Sequence, residues 1–102
     1  MRKYIQLCHE SEYAQDCDAL YAENKRYREA VALLEWLIVI DPYGFPLVSE
    51  AESGIADMRV ALGDPIGGLD PISIMYTIDD DKSGTLWGAK KIDLTDFLNG
   101  LS

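Results

Sequence analysis

The first half of the chain carries apolar residues in two different periods. Residues 3–8 (KYIQLC) alternate polar and apolar side chains, which predicts a short first strand. Ser11 is the expected cap of a helix through residues 12–24, where apolar side chains recur every three or four positions. A second helix is predicted over residues 25–40 and ends at Asp41-Pro42, since a residue before proline avoids helical geometry. Its apolar stripe is Tyr27, Val31, Leu34 and Ile38, widened by Ala30, Leu33 and Leu37.

The second half changes to a period of two, which predicts strands. Residues 55–62 form the first, with Ala56, Met58, Val60 and Leu62 expected on one face and Asp57 and Arg59 on the other. A β-branched strand follows over residues 72–78, and a further strand over residues 85–92. Asp93 is the expected cap of a short last helix, residues 94–101. Two loops rich in proline and glycine, residues 42–54 and 63–71, separate these elements.

This order predicts a single α+β domain. Strands joined by hairpin-length connections mostly pair antiparallel, and one apolar sheet face can pack against the two N-terminal helices. The 102 residues suit one domain, and 48% hydrophobic residues suffice for its core. We expect a cytoplasmic protein: the chain has no apolar run of about 18 residues and no apolar leader, and Cys8 and Cys17 are interpreted as reduced thiols.

The net charge of −9 makes a nucleic-acid partner unlikely and favours a basic protein partner, because nucleic-acid affinity comes largely from lysine and arginine. The one dense basic cluster contains Lys25, Arg26 and Arg28. It is a candidate binding surface for nucleic acid or an acidic partner, although a solvated start of the second helix is the simpler interpretation. We expect no cofactor.

The stretch TIDDDKSGTLWG, residues 77–88, contains most of a calcium-loop pattern. With Asp79 in the first position, the twelfth position should be glutamate but is Lys90. The flanking segments also look like strands, whereas a calcium-binding EF-hand loop lies between helices. We therefore predict a β-hairpin turn and no metal site.

The second half resembles the closing strands of the RelE/ParE superfamily of toxins, including the HigB-like proteins. The similar features are a strand with glycine leading to arginine (Gly54 to Arg59), a strand with Tyr76 shortly before an acidic turn, and a strand that ends in Lys90-Lys91. The resemblance implies the predicted α+β fold and a type II toxin-antitoxin protein that is neutralised by an antitoxin. RelE-like and HigB-like members cut messenger RNA on the ribosome, whereas ParE-like members inhibit gyrase.

The resemblance places catalytic roles on Arg59 and Lys91, and a binding role on Tyr76. Two positions that are often basic in RelE-like members hold Asp57 and Ser73, and the last predicted helix offers Phe97 where tyrosine or histidine is common. We therefore favour a toxin-like protein that acts by binding protein. A ribosome-dependent endoribonuclease and a non-toxic interaction module of the same fold remain the alternatives.

Several candidate residues also have a purely structural interpretation. Arg59 either binds a phosphate or forms an ion pair with a carboxylate such as that of Asp57, and we favour the ion pair. His9 is expected to be a surface histidine rather than a general base. Trp36 and Trp87 are expected in the core or against a partner rather than as base-stacking platforms.

Overall fold

The computed structural model describes residues 5–48, 54, 57–63 and 67–92. Within them, β1 (Gln6–His9) leads into α1 (Ser11–Glu23) and α2 (Tyr27–Ile40), and the strands β2 (Arg59–Leu62), β3 (Ile72–Ile78) and β4 (Ser83–Lys91) follow. This order confirms the α+β class and the element types predicted from the periodicity. The predicted last helix, residues 94–101, lies outside the described residues.

The strands form one mixed sheet in the order β1-β4-β3-β2. β3 pairs antiparallel with both of its neighbours, so the expectation of a mostly antiparallel sheet is confirmed. β1 is the exception, since it pairs with β4 in parallel. The first strand therefore lies beside the last one, and α1 and α2 form the connection that returns the chain to the sheet.

The core lies between the two helices and one face of this sheet. Tyr13, Cys17 and Leu20 of α1 are buried, as the predicted stripe requires. The sheet contributes a row from β3, and the largest side chains in it are fully buried: Ile72, Ile74 and Tyr76. α2 contributes the longest apolar stripe, whose buried members are Tyr27, Ala30, Val31, Leu34 and Ile38.

Two details of the predicted helices were wrong. Ser11 is the first residue of α1 rather than its cap, because the backbone N–H of Glu10 still donates to Leu86 O at 3.1 Å and keeps residue 10 extended beside the sheet. Leu33 and Leu37 widen the apolar stripe of α2 beyond the width that the sheet covers. They are 51% and 37% exposed.

The predicted start of β2 was wrong, whereas the predicted alternation holds within the strand, with Val60 and Leu62 on one face and Arg59 on the other. Asp57 has a left-handed backbone with φ of 59°, and the strand begins only at Arg59. Its register places Arg59 opposite Tyr76 and Ala61 opposite Ile74. Residues opposite each other share a sheet face, so Ala61 enters the core, while Leu62 is 54% exposed.

The acidic stretch between β3 and β4 is a hairpin turn, as predicted. The N–H of Asp79 donates to Ser83 O at 2.9 Å and closes the turn. The carboxylate of Asp79 accepts hydrogen bonds from the hydroxyls of Thr77 and Thr85, at 3.2 and 2.6 Å. Asp80 accepts one from the N–H of Lys82 at 2.7 Å. These two aspartates therefore stabilise the turn itself.

A β-bulge divides β4 into two parts with different neighbours. Tyr76 lies opposite Leu86 but Met75 lies opposite Gly88, so Trp87 is the extra residue. β1 pairs with residues 83–86 only. Beyond the bulge, the carboxylate of Asp16 in α1 accepts a hydrogen bond from the N–H of Ala89 at 3.0 Å. A helix side chain thus takes the place of β1 on the outer edge of β4.

We predict that Asp16→Ala lowers the free energy of unfolding by about 1–2 kcal/mol, because the N–H of Ala89 loses its acceptor at a partly buried edge. Urea unfolding of the purified variant measures this. Asp18→Ala, an exposed change of the same type on the same helix, is the control and should differ little from the wild type. Equal effects of the two substitutions would contradict the edge interaction.

Candidate functional site

An apolar groove runs between α2 and the edge of the sheet. It has a volume of about 90 Å³, and its outer rim is formed by the exposed side chains of Leu33, Leu37 and Leu62. Leu34 and Ile72 form its buried floor, and Gly63 leaves it open at the sheet edge. Exposed leucines on two elements around one concave surface are typical of a protein-binding site.

Acidic residues precede and follow the two rim leucines of α2 along the helix. Glu29, Leu33, Leu37 and Asp41 follow one another at intervals of four residues, so they share one ridge of α2 and its C-cap. Both acids are exposed, and the chain as a whole is strongly acidic. The groove therefore suits an amphipathic segment with apolar anchors and basic flanks.

Arg59 and Tyr76 hold the loop that follows α2. The guanidinium of Arg59 donates to Phe45 O at 2.6 Å and to Tyr43 O at 3.3 Å, and lies over the Tyr43 ring at 5.2 Å from its centroid. The hydroxyl of Tyr76 donates to Pro42 O at 2.6 Å. The expected pairing of Arg59 with the Asp57 carboxylate is replaced by these backbone contacts. Burial raises the pKa of Tyr76 to about 12, although Arg59 opposes this.

We predict that Tyr76→Phe destabilises the fold by about 1 kcal/mol, because it removes only the hydrogen bond to Pro42 O and leaves that partly buried carbonyl without its donor. Thermal unfolding followed by circular dichroism measures the effect. Tyr43→Phe, at a position 65% exposed, is the matched control and should be neutral. A neutral Tyr76→Phe would contradict the role of its hydroxyl in holding the loop.

The structure does not bring Arg59 and Lys91 together. Arg59 lies opposite Tyr76 on one side of β3, and Lys91 lies opposite Ile72 on the other side. Four residues of strand, about 13 Å, and two strand spacings, about 10 Å, separate their backbones. Lys91 forms an ion pair with Glu23 of α1, which raises the pKa of the lysine. A single phosphate cannot contact both residues in this arrangement.

The basic cluster at the start of α2 is used largely within the fold. Arg26 donates to Gly67 O at 3.0 Å and holds the loop before β3. Arg28 lies over the ring of Tyr21, 4.9 Å from its centroid. Lys25 is exposed. The cluster therefore presents less free positive charge than its sequence indicates.

A second cleft, of about 200 Å³, lies between α1, α2 and the end of β1. Nε2 of His9 is 3.3 Å from Oε1 of Glu35, and the His9 ring meets Tyr13 edge to face at 5.1 Å. Cys17, Asp18 and Tyr21 complete the polar lining. His9 is a surface histidine, as expected, with its side chain 51% exposed, and it also contacts Glu35 and Tyr13.

Burial is the main cause of the pKa shifts of the titratable groups in this cleft. Burial raises the pKa of Glu35, although His9 and the hydroxyl of Tyr13 oppose the shift. It also raises the pKa of Tyr13 and of Cys17, and that of Tyr21 to about 12. The Tyr13 hydroxyl is close enough to influence Glu35 and Cys17, yet it completes no hydrogen bond of good geometry with a described residue. A neutral thiol at Cys17 is a poor nucleophile.

Neither the groove nor the cleft was identified from the sequence. Leu33 and Leu37 match the apolar stripe of α2 that faces the core. The only signal of an exposed apolar surface in the sequence is the width of this stripe, which exceeds the width that a sheet can cover. Glu35 was recognisable as the acid that interrupts the apolar run of α2. Its partner His9 is 26 positions away, so no local pattern connects them.

We predict that Glu35→Gln raises the urea midpoint at about pH 7.5 and has a smaller effect at about pH 4.5. The folded protein has the higher pKa for this carboxyl, so it binds more protons than the unfolded chain and loses stability as the pH rises between the two values. The neutral amide removes that penalty. Glu29→Gln on the exposed side of the same helix is the control. A Glu35→Gln effect that is independent of pH would contradict the burial penalty.

No family model, curated protein or solved structure matches this chain. Neither helix within the described residues is long and apolar enough to cross a membrane. The assignment of function therefore depends on the surfaces described above together with the resemblance in the strand motifs.

Proposed function

We propose that this chain is a cytoplasmic toxin-like protein of a type II toxin-antitoxin pair that acts by binding protein. The observation that carries the binding mode is the apolar groove between α2 and the sheet edge. The toxin role rests on the resemblance of the strands to the RelE/ParE superfamily.

The groove supports a protein partner for three reasons. Its rim leucines are exposed, so a partner would remove apolar surface from water. The groove is a concave surface between a helix and a strand, which suits an amphipathic helix with anchors at helical spacing. Glu29 and Asp41, at the two ends of the α2 ridge, favour basic residues on both sides of the anchors of the partner helix. The net charge of −9 attracts such a basic segment over a longer range.

The nuclease alternative receives less support from the same geometry. Cleavage through a ribose hydroxyl requires a base and a cation at one phosphate. Arg59 is bound to two backbone carbonyls and Lys91 to Glu23, on opposite sides of β3. Each contact would have to break before either cation served a shared phosphate.

Induced expression in a bacterial host is expected to arrest growth, and Leu33→Glu is expected to abolish the arrest. The substitution places a charge on the apolar rim of the groove, at a position exposed enough for the fold to tolerate it. Ala32→Glu adds the same charge to an exposed neighbouring position that does not line the groove, so its arrest should persist. Growth curves and circular dichroism of both variants provide the measurement and the check of folding.

Lys91→Gln separates the protein-binding mode from the nuclease. We expect this variant to arrest growth like the wild type, with cellular messenger RNA intact. Loss of arrest together with cleavage of messenger RNA by the wild type alone would instead support the endoribonuclease. Unchanged growth on expression of the wild type would contradict the toxin role and leave a non-toxic interaction module.

A further inference from the structure

We propose that the cleft around His9 and Glu35 binds a primary ammonium group carried on a short apolar chain. The site is distinct from the groove between α2 and the sheet edge, and the proposal does not depend on a toxin role. It rests on the side chains that α1, α2 and the end of β1 bring together.

The first observation is the balance of charge in the cleft. Among the described residues, Glu35 and Asp18 line it and no lysine or arginine does. The side chain of Glu35 is only 23% exposed, and its close partner is the His9 imidazole at 3.3 Å. A half-buried carboxylate without a permanent cation gains from one that enters the cleft.

The second observation is the buried hydroxyl of Tyr13. Tyr13 is 1% exposed, and its hydroxyl lacks a well-formed hydrogen bond within the described part of the chain. A buried polar group of this kind is costly, and a bound donor would satisfy its oxygen. His9 packs against the Tyr13 ring and is half exposed, so it is the side chain that a ligand would displace to reach Glu35 and Tyr13.

The third observation is the aromatic lining. The rings of Tyr13 and Tyr21 border the cleft, and aromatic faces attract cations. Tyr21 already holds the guanidinium of Arg28 at 4.9 Å. Ala14 adds an apolar wall that suits an alkyl chain. Within the described residues no group of three His, Cys, Asp or Glu side chains has an arrangement that could hold a metal ion.

The test is an NMR titration with n-butylammonium chloride, observed at the His9 imidazole and the Tyr13 ring. We expect saturable shifts with a Kd on the order of 1 mM, since a single ion pair with aromatic contacts gives weak binding. n-Butanol and sodium chloride at matched concentrations should give no saturable shift. Cadaverine and N-acetyl-lysine methylamide then distinguish a free diamine from a lysine side chain by which of them binds more tightly.

Variants identify the contacts. Glu35→Gln should weaken binding about tenfold, equivalent to about 1.4 kcal/mol, and Tyr13→Phe should weaken it severalfold because it removes only the hydroxyl. Glu29→Gln, on the same helix but outside the cleft, should bind as the wild type does. Shifts that do not saturate, or binding that survives both cleft substitutions, would overturn the proposal.

Discussion

The pairing of β4 with a strand on each side is the constraint on which the rest of the structure depends. Its first half pairs with β1 in parallel, and its whole length pairs with β3. The bulge at Trp87 ends the pairing with β1, and Asp16 of α1 accepts from the next outward N–H. Because a free strand edge invites association with other chains, the helix both completes the sheet and protects it.

This arrangement sets the position of α1 and, through it, of the functional surfaces. Asp16 and the ion pair between Glu23 and Lys91 attach α1 to β4 at two points about two helical turns apart. His9 lies at the end of β1, opposite Leu86, so the start of α1 is held at the same sheet edge. The cleft thus forms where β1, α1 and α2 converge, while the groove lies at the opposite edge beside β2.

Two of the candidate site residues contact the loop that follows α2. Arg59 and Tyr76 bind carbonyl groups of residues 42–45, which would otherwise lack donors near the end of α2. Both hydrogen bonds of Arg59 come from one guanidinium nitrogen, Nη1, which donates to Tyr43 O and Phe45 O. Within the described residues, the apolar groove and the acidic, aromatic cleft are the two surfaces for which binding is proposed.

The sequence by itself determined the element types, their order and the α+β class, because the periods of two and of three to four report which side of each element is buried. It also determined the hairpin turn at residues 79–82. The flanking segments have strand patterns, and Lys90 stands where a calcium loop beginning at Asp79 would need a glutamate. Only the tertiary structure decided that Leu33 and Leu37 rim a groove, that Arg59 binds the loop after α2, and that His9 meets Glu35. Each of these depends on a partner distant in the chain, and local periodicity carries no information about such partners.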